Sequence, residues 1–570
     1  MEPKTLEIFF TGKAFTWGLE NVNELFEDIQ ESIETGTAHY IGTFILSKKG
    51  EEDRFRIVDG QQRLTTLMML INSFLKNLGK EYEKTKIIYD HLFLRTDNGL
   101  KLNILGDNET FFRELLNDNN PSPQNRSQKL LSSAYNHINN RVTGLHELGY
   151  HVFLSWLNSI KSLQILEFIE PDEGKAIRIF LTVNDRGIEL TNMEKAKSLL
   201  ISYSNRLLNG KLDQAINAAF GIAFQAYDSI KEIAEDINYN VQLINQQNFT
   251  EDSIMRYHFL SFNNEFYDYN ATIKYVLDIF LKSTLKRYRD DSKKLEEFIE
   301  KYIEDLQLFF EELLSLLNGM KLDKRYYKLF SILNLSTFLY PLTIRLKARG
   351  LLDQAIPNNP NLTFLDLIEN VDVRVYKIYR GTAGKDISIL ARDAAIASPE
   401  EISSRLLAFI KYFAGDAVFR SNLEQDIYKN PALNHILFEY NEELLGKSGY
   451  DLQSLVRLNL ESPTVEHIFP EEPTFDFPSR GFESEENYLA KIHKLGNLTL
   501  LEKWLNSRCW NKTVEEKVRE PDLYMRSNFK ITQKLLSDIQ NKGGSFTSTD
   551  IDNRTKILVD FCLRRWPLWG

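Results

Sequence analysis

Two short polar runs, far apart in the chain, have residue types and spacings that suit chemistry on phosphates. The first is the turn Asp59–Arg63 in "RIVDGQQRLTTL", where an apolar strand-like run stops at a glycine and a helix-like run begins. The first backbone N–H groups of a helix lack internal partners and attract anions. Gly60 permits a tight turn or a close phosphate, and Arg63 is a bidentate phosphate donor. The sequence therefore predicts an anion site, with a capped turn beside a surface arginine as the alternative.

Other side chains of this turn extend the predicted site. Asp59 can hold a metal ion or a ribose hydroxyl, and Gln61 or Gln62 can position water or read a base edge. Thr65 and Thr66 add hydroxyl groups. No GxxxxGK[ST] run occurs in the sequence, which excludes a Walker-type phosphate loop.

The second polar run is "VEHIFP", in which Glu466 directly precedes His467. A histidine acts as a general base in phosphodiester cleavage when water and a metal ion lie beside it. Adjacent strand residues point to opposite faces, so these two side chains diverge unless the strand bends or ends, and Pro470 supports such an end. Downstream, Asn497 and Asn506 offer amide oxygens, which together with a carboxylate suit Mg²⁺. The ordered set predicts a metal-dependent nuclease site, whereas one histidine alone indicates only a surface residue.

The chain is acidic overall but has one basic stretch. Its formal net charge is −11, which does not suggest nucleic-acid binding, although a local patch can still bind DNA. Between residues 491 and 534, ten lysines and arginines outnumber five acids. The stretch is either a nucleic-acid surface or a solvated helical face.

The elements that must position these residues change along the chain. The runs "YIGTFILS", "RFRIV" and "SLQILEFIE" predict strands, and a helix begins near Gln61, so the first part is predicted to be α/β. Residues 212–445 have predominantly helical spacing without a fixed-period repeat. The last part predicts a short strand at "TVEHIFP", then a loop, a strand and a helix within "LGNLTLLEKWLNSRC". We predict an α+β multidomain protein with domains at 1–208, 209–445 and 446–570.

Composition sets the broad class of protein. The chain has 570 residues, of which 43% are hydrophobic, which is enough for about two to four domains with cores. No run approaches the roughly 20 apolar residues that span a bilayer, and no secretory leader is visible. Two cysteines, Cys509 and Cys562, exclude a disulfide framework and a four-cysteine zinc site. We expect a cytoplasmic protein without a membrane partner.

The string "IVDGQQRLTTL" resembles the signature of the N-terminal domain of GmrSD-type restriction proteins, which is distantly similar to the ParB/sulfiredoxin nucleotide-binding fold. "HYIGTFIL" resembles the strand before that signature, and "FLTVNDRGIELTNMEKAKSLL" resembles the family's second motif, with Lys195 or Lys197 as its basic residue. The resemblance implies binding and hydrolysis of a nucleoside triphosphate, either GTP, ATP or CTP. The implied contacts are Asp59, Gly60, Gln61, Gln62, Arg63, Thr65, Asn184, Arg186 and Gly187. One departure is "FFTGKAFTW", whose Thr-Gly-Lys replaces the family's Tyr, Gln and Arg.

The string "VEHIFP…KLGNLTLLEKWLNSRCWNKTVEEK" resembles the C-terminal nuclease domain of the same family, which is of the HNH, or ββα-metal, type. The resemblance implies that His467 is the general base that activates water and that Asn497 orients His467 or the metal shell. It implies Asn506 as a metal ligand, Glu466 as the second one, and Mg²⁺ or Mn²⁺ as the cofactor. The implied DNA contacts are Arg508, Lys512 and Lys517.

These features together predict an NTP-coupled, Mg²⁺-dependent DNA endonuclease of a modification-dependent restriction or phage-defence system. The helical middle is expected to link the nucleotide state to nuclease access. Two alternatives stay open: an HNH nickase whose N-terminal domain only senses nucleotide or modified DNA, and a non-enzymatic DNA-binding regulator. RNA is an alternative substrate, because metal-assisted cleavage works on either backbone. One nuclease site per chain also leaves open a homo-oligomer, in which a second chain cuts the second strand.

Overall fold

The computed structural model describes residues 5–8, 15–37, 39–48, 54–96, 99–104, 107–171, 175–176, 191–446 and 449–569. The chain forms two compact units. The first comprises Met1–Glu232 with Thr272–Phe310, and the second comprises Ile233–Ala271 with Glu311–Gly570. The three predicted domain ranges stay a prediction.

The described strands are, in chain order, β1 (Thr5–Ile8), β2 (Tyr40–Lys48), β3 (Arg54–Asp59), β4 (Arg95–Thr96), β5 (Gly99–Leu100), β6 (Leu102–Asn103), β7 (Gln164–Glu170), β8 (Ala355–Ile356), β9 (Asn359–Thr363), β10 (Thr464–His467) and β11 (Leu498–Leu501). The described α-helices are α1 (Leu19–Thr35), α2 (Gln61–Lys76), α3 (Glu83–Tyr89), α4 (Asp107–Leu116), α5 (Arg126–Glu147), α6 (Tyr150–Ser162), α7 (Asn192–Leu208), α8 (Asp213–Glu235), α9 (Glu251–Ser261), α10 (Ile273–Tyr275), α11 (Lys282–Arg287), α12 (Ser292–Gly319), α13 (Lys324–Tyr327), α14 (Tyr340–Ala348), α15 (Phe364–Val371), α16 (Gly384–Asp393), α17 (Pro399–Ala414), α18 (Asp416–Leu423), α19 (Leu433–Leu445), α20 (Leu452–Leu460), α21 (Glu485–Ile492), α22 (Lys503–Cys509), α23 (Val514–Arg519), α24 (Lys530–Asn541) and α25 (Ser548–Arg565). Short 3-10 turns and π-helical segments connect or extend several of these helices.

The first unit contains a five-stranded mixed sheet with the strand order β6-β1-β3-β2-β7. Strand β1 runs parallel to β3 and β6, whereas β2 is antiparallel to β3 and parallel to β7. Helices α1, α2, α5 and α6 contribute to one core with the sheet, and Phe26, Leu70, Phe74 and Ile138 are at most 1% exposed in it. The predicted strands and the helix that begins at Gln61 are confirmed. Strand β3 therefore places the polar turn Asp59–Arg63 at the start of α2.

The second unit is predominantly helical, and the described part of residues 212–445, which is divided between both units, is mostly helical as its periodicity predicts. It also holds two small antiparallel hairpins, β8–β9 and β10–β11. The first pair is formed around the run "PNNPN", where Ala355 pairs with Thr363 and Ile356 pairs with Asn359. Proline and asparagine signal a turn, and here the turn connects two short paired strands. Among the described helices, none has the length and apolarity that a membrane span requires.

The last helix, α25, is anchored by a buried polar cluster in the second unit. Trp566 is fully buried, and its Nε1 donates a hydrogen bond to Glu369 at 3.0 Å. Arg565 lies 2.9 Å from Glu369 and 2.7 Å from Glu439. Burial alone would raise the pKa of Glu439, but the charges of Arg565 and Lys328 outweigh it and lower the pKa to about 2. Arg565 therefore joins α25 to α15 and α19 through these two carboxylates.

Candidate functional sites

The turn after β3 has a geometry that favours glycine. Gly60 directly precedes α2 and lies in the left-handed region, at φ 94° and ψ 8°. A Cβ added to Gly60 would lie 2.7 Å from Cε1 of Phe44. Oδ1 of Asp59 accepts a hydrogen bond from the Gly60 backbone N–H at 2.8 Å. Burial raises the pKa of Asp59, and the charge of Arg63 and this hydrogen bond oppose the rise.

The guanidinium of Arg63 is held by the neighbouring strand. Its Nη1 donates to the carbonyl oxygen of Ile41 at 2.9 Å, and its Nη2 donates to that of Thr43 at 3.1 Å. Gly42 between them has φ 109°, and a Cβ there would overlap Nη1. Nη2 also lies 3.5 Å from Oδ2 of Asp59. Arg63 therefore fixes β2 against α2, and a phosphate can use only the donors that these carbonyls leave over.

The other predicted residues of the turn also have local partners. Nε2 of Gln61 donates to the carbonyl oxygen of Ile57 at 3.0 Å, and Oε1 of Gln62 accepts from the backbone N–H of Thr16 at 2.9 Å. Thr65 is 2% exposed, and its hydroxyl donates to the carbonyl oxygen of Gln61 at 2.9 Å. The structure does not support the predicted nucleotide contact at Thr65, because this hydroxyl bonds back within the first turn of α2.

A cavity of about 260 Å³ opens beside Arg63. Trp17 and Tyr40 contribute aromatic rings to its lining, and Glu24 and Asp28 contribute carboxylates. Aromatic faces suit a nucleobase, and carboxylates suit sugar hydroxyls rather than phosphates. The cavity can therefore take the base and ribose of a nucleotide whose phosphates lie near the turn.

Three predicted contacts lie outside the described residues: Asn184, Arg186 and Gly187. The helix that follows them, α7, is capped at its N-terminus, because Thr191 and Glu194 exchange side-chain-to-backbone hydrogen bonds of 2.9 and 3.3 Å. Lys197 in this helix is 1% exposed, and burial lowers its pKa to about 7 despite the opposing charge of Glu194.

The second site is built on the β10–β11 hairpin and α22. The antiparallel register places His467 opposite Leu498. Nδ2 of Asn506, in α22, donates to Oγ1 of Thr464 at 2.7 Å and to the carbonyl oxygen of Val465 at 3.2 Å. Within the described part of the chain no donor reaches Oδ1 of Asn506, which leaves this oxygen for a ligand.

Asn497 is fully buried and shapes the chain that follows His467. Its Oδ1 accepts from the backbone N–H of Phe469 at 2.9 Å, and its Nδ2 donates to the carbonyl oxygens of Phe469 at 3.2 Å and Ile492 at 2.8 Å. Its own carbonyl oxygen accepts from the backbone N–H of Ile468 at 2.8 Å. Because these bonds all go to backbone, Asn497 orients His467 through the chain and not by touching the imidazole.

Glu466 and His467 have separate partners, as adjacent strand residues do. Glu466 is 3% exposed, and its Oε1 lies 2.7 Å from Nζ of Lys517 and 3.1 Å from the hydroxyl of Tyr524. Nζ of Lys517 also donates to the carbonyl oxygens of His467 at 2.7 Å and Ile468 at 3.3 Å. Burial raises the pKa of Glu466, and Lys517 and Tyr524 oppose the rise.

These contacts argue against two predicted roles. Lys517 is fully buried and its ammonium is enclosed by a carboxylate and two carbonyl oxygens, so the structure does not support it as a DNA contact. Glu466 does not fit the role of metal ligand, because its carboxylate belongs to a core ion pair. Both residues instead fix the backbone from which His467 projects.

His467 lies beside a second histidine. Its Nε2 is 3.0 Å from Nδ1 of His493 and 3.8 Å from Oε1 of Glu471. The ring of Tyr428 stacks on His493 with centroids 5.1 Å apart and contacts the ring of His467 at 4.3 Å. Burial, with the charges of His493 and Lys517, lowers the pKa of His467 to about 3. The imidazole is therefore neutral at pH 7.

Sequence reasoning missed His493, Glu471 and Tyr428. His493 stands in "KIHKLGN", close to a glycine turn, and Glu471 follows Pro470 in an acidic loop. The one signal in the sequence was that a second histidine, His493, lies close to Asn497, a predicted site residue. Nothing in the sequence connects Tyr428 with either imidazole, because the fold alone brings it there.

The remaining predicted DNA contacts lie outside the core. The guanidinium of Arg508 lies over the ring of Trp504 at 5.3 Å, and Nζ of Lys512 lies 2.7 Å from Glu520. Trp504 is 48% exposed and Trp510 is 76% exposed. A guanidinium beside exposed indoles can bind a phosphate and stack on a base. The role of Arg508 as a DNA contact stays a prediction.

Comparison with known protein families gives two matches. The N-terminal domain of the GmrSD restriction endonuclease matches residues 13–201, and the C-terminal domain of GmrSD restriction endonucleases matches residues 413–561. The first match contains the Asp59–Arg63 turn, and the second contains the hairpin and helix around His467. Together they span more than half of the chain. No curated protein matches the chain.

Proposed function

Since the chain belongs to the GmrSD restriction endonuclease family, we propose that it is a restriction or phage-defence nuclease that cleaves DNA at the β10–β11 hairpin. The observation that carries the proposal is the placement of the buried His467 imidazole at the end of β10, with the amide oxygen of Asn506 on the helix after β11. Two strands and a helix with these residues suit an HNH-type nuclease.

In the proposed reaction, His467 accepts a proton from the attacking water. Its Nε2 lies 3.0 Å from Nδ1 of His493, so the His493 ring must move aside before this nitrogen accepts a proton from water. The negative charge of a bound phosphodiester raises the pKa of His467, because it stabilises the imidazolium. Asn497 and Lys517 hold the backbone from His467 to Phe469 and so keep the base in position.

We propose Mg²⁺ or Mn²⁺ as the cofactor of this reaction. Oδ1 of Asn506 fits such an ion, because it is an oxygen without a donor among the described residues. Glu466 does not fit, for the reason given above. When bound, the ion supplies positive charge that stabilises the cleaved phosphate. Arg508 adds a second cation at the DNA surface.

We further propose that the first unit has a ParB/sulfiredoxin-like fold, binds a nucleoside triphosphate and licenses cleavage. Gly60 supplies the left-handed turn at the start of α2, and Asp59, Gln61, Gln62 and Arg63 surround that point. The cavity beside Arg63 takes the base and sugar. Asn184, Arg186 and Gly187 complete the contacts in this proposal.

A second candidate is a nickase whose N-terminal domain senses nucleotide without hydrolysing it. The specific observation in its favour is that Arg63 already donates to two carbonyl oxygens of β2. An arginine whose N–H groups already bind β2 has fewer donors left to stabilise the transition state of hydrolysis. A bound nucleotide would instead act through Arg63 on the conformation of β2. Nucleotide turnover measured by phosphate release separates this candidate from the NTPase.

The decisive experiment is cleavage of modified and unmodified plasmid DNA, with and without Mg²⁺ and each NTP. We expect His467→Ala to abolish cutting and Arg63→Ala to change the nucleotide response while cutting persists. The matched control is His151→Ala, since His151 is an exposed histidine on α6. Undiminished cutting by His467→Ala would refute the nuclease assignment. Cutting that is indifferent to every NTP and to Arg63→Ala would refute the coupling alone.

A further inference from the structure

His467 also belongs to a cluster of side chains with the donor atoms of a metal site. Three donor atoms converge there: Nε2 of His467, Nδ1 of His493 and a carboxylate oxygen of Glu471, all within 4.8 Å of one another. They come from β10, from the residue after α21 and from the loop after β10. Two imidazoles and one carboxylate form the donor set of many open metal sites, in which a fourth position is left for water.

The distances fit a small tetrahedral ion. Zinc lies about 2.0–2.1 Å from imidazole nitrogen, so two donors on one tetrahedral ion are about 3.3 Å apart. The observed separations from Nε2 of His467 are 3.0 Å to His493 and 3.8 Å to Glu471, on either side of that value. The stacked ring of Tyr428 holds His493 in place, and the backbone N–H of Ile427 donates to the carbonyl oxygen of His493 at 3.2 Å. The exposed Glu471 is the ligand that must move closer, because its carboxylate oxygen lies 3.8 Å from Nε2 of His467 and within 4.8 Å of Nδ1 of His493.

A comparison within the same unit shows what distinguishes this cluster. Glu369, His435 and Glu439 also lie close enough together to hold an ion. There, however, Arg565 pairs with both carboxylates, so the positive charge is already supplied by the protein. At the His467 cluster, Glu471 is about half exposed and lies beside the two imidazoles. The His467 cluster is therefore the better metal site.

We propose that His467, His493 and Glu471 bind a borderline divalent ion such as Zn²⁺, and that this ion switches the nuclease off. Two nitrogen donors select zinc and its neighbours over Mg²⁺, which prefers oxygen ligands. An ion on Nε2 of His467 takes the lone pair that accepts the proton of the attacking water. The inhibitory part rests on the proposed function of His467, whereas the binding part does not.

Binding is tested on the full-length protein with Co²⁺, whose visible absorption reports tetrahedral coordination. We expect one Co²⁺ per chain, displaced by Zn²⁺, and an affinity at least about 100-fold lower in His493→Gln and Glu471→Gln, because even outer partners of metal ligands are worth about 10–100-fold. His151→Gln is the matched control, and circular dichroism checks that each variant is folded. If folded His493→Gln and Glu471→Gln bind Co²⁺ as the parent does, the site is refuted.

Inhibition is tested by plasmid cleavage at constant Mg²⁺ with increasing Zn²⁺, each variant being compared with its own zinc-free rate. We expect the parent to lose at least about 90% of its rate when the site is filled, and Glu471→Gln to need at least about 100-fold more Zn²⁺ for the same loss, in proportion to its weaker binding. Stoichiometric binding without any loss of cutting would refute the switch. A wrong proposed function gives a different result from a wrong switch. In that case His467→Ala cuts normally with Mg²⁺, whether or not zinc binds.

Discussion

Replacing Lys517 by methionine is expected to destabilise the second unit by about 3–5 kcal/mol. Breaking a buried ion pair by removing one partner costs this much, because the remaining charge is left without compensation. The pair fits that case, since Lys517 is fully buried, Glu466 is 3% exposed, and Nζ lies 2.7 Å from the carboxylate. Methionine has a similar length, so a cavity adds little. Two carbonyl oxygens, those of His467 and Ile468, also lose a donor.

The size of this loss is expected to depend on pH. Burial raises the pKa of Glu466 and Lys517 opposes the rise, so the pKa rises further in the methionine variant. A carboxyl whose pKa is higher in the folded state destabilises the fold above that pKa, and the penalty is absent below the unfolded-state pKa. Lys517→Met is therefore expected to be least destabilising at about pH 4 and most destabilising at about pH 8.

The measurement is urea denaturation of the full chain at several pH values, with hydrogen exchange of the segments around β10 and α23 to locate the loss. The double variant Glu466→Gln, Lys517→Met is expected to recover part of the stability, because no buried charge remains. Lys512→Met is the control, since an exposed ion pair is worth about 0–1 kcal/mol. A stability loss below about 1 kcal/mol in Lys517→Met, combined with weaker DNA binding and a shallower salt dependence, would show that Lys517 contacts DNA and that our reasoning is wrong.

Two further predictions concern the cores of the two units. Gly60→Ala is expected to lower the free energy of unfolding by about 2 kcal/mol or more, since a strained φ costs about 1–3 kcal/mol and the new Cβ meets Phe44. Gly144→Ala, in open space on α5, is expected to raise the free energy of unfolding by about 0.5–1 kcal/mol. Thermal unfolding compares the two variants, and equal effects would contradict the prediction. Acid is expected to unfold the second unit as pH falls from about 4.5 to 2, because the pKa of Glu439 is lowered to about 2 and its stabilisation is lost through that window. Circular dichroism follows this transition, and Arg565→Leu should shift it to higher pH.

The local features of the first site follow from the sequence. Alternating and apolar residues predict β3, helical spacing predicts α2, and Gly60 marks the turn, so the strand ends at Asp59 and the helix begins at Gln61 as expected. The partners of Arg63 do not follow in the same way. They are carbonyl oxygens of β2, about 20 residues away, and only the pairing of β2 with β3 brings them to the guanidinium.

The second site shows the same limit more sharply. The period of two in a strand predicts that Glu466 and His467 diverge, and their partners confirm this. What each side chain meets depends on elements distant in sequence: Lys517 lies 50 residues downstream of His467, and Tyr428 comes from before α19. A resemblance fixes the positions of the residues, but it does not say which of them touch substrate. The resemblance implies that Lys517 contacts DNA, but in the fold its ammonium pairs with the buried carboxylate of Glu466.

The neighbouring residues Glu466 and His467 explain why this site can be both rigid and reactive. One side of β10 is locked by Glu466, Lys517 and Tyr524, which satisfy one another in the core. Asn497 locks the chain beyond it through four backbone hydrogen bonds. The imidazole can therefore be neutral and buried without being fixed by a carboxylate of its own. Because the backbone and not a carboxylate holds this base, its Nε2 becomes available to water once the His493 ring moves aside, whereas a transition-metal ion bound by both imidazoles would occupy the same lone pair.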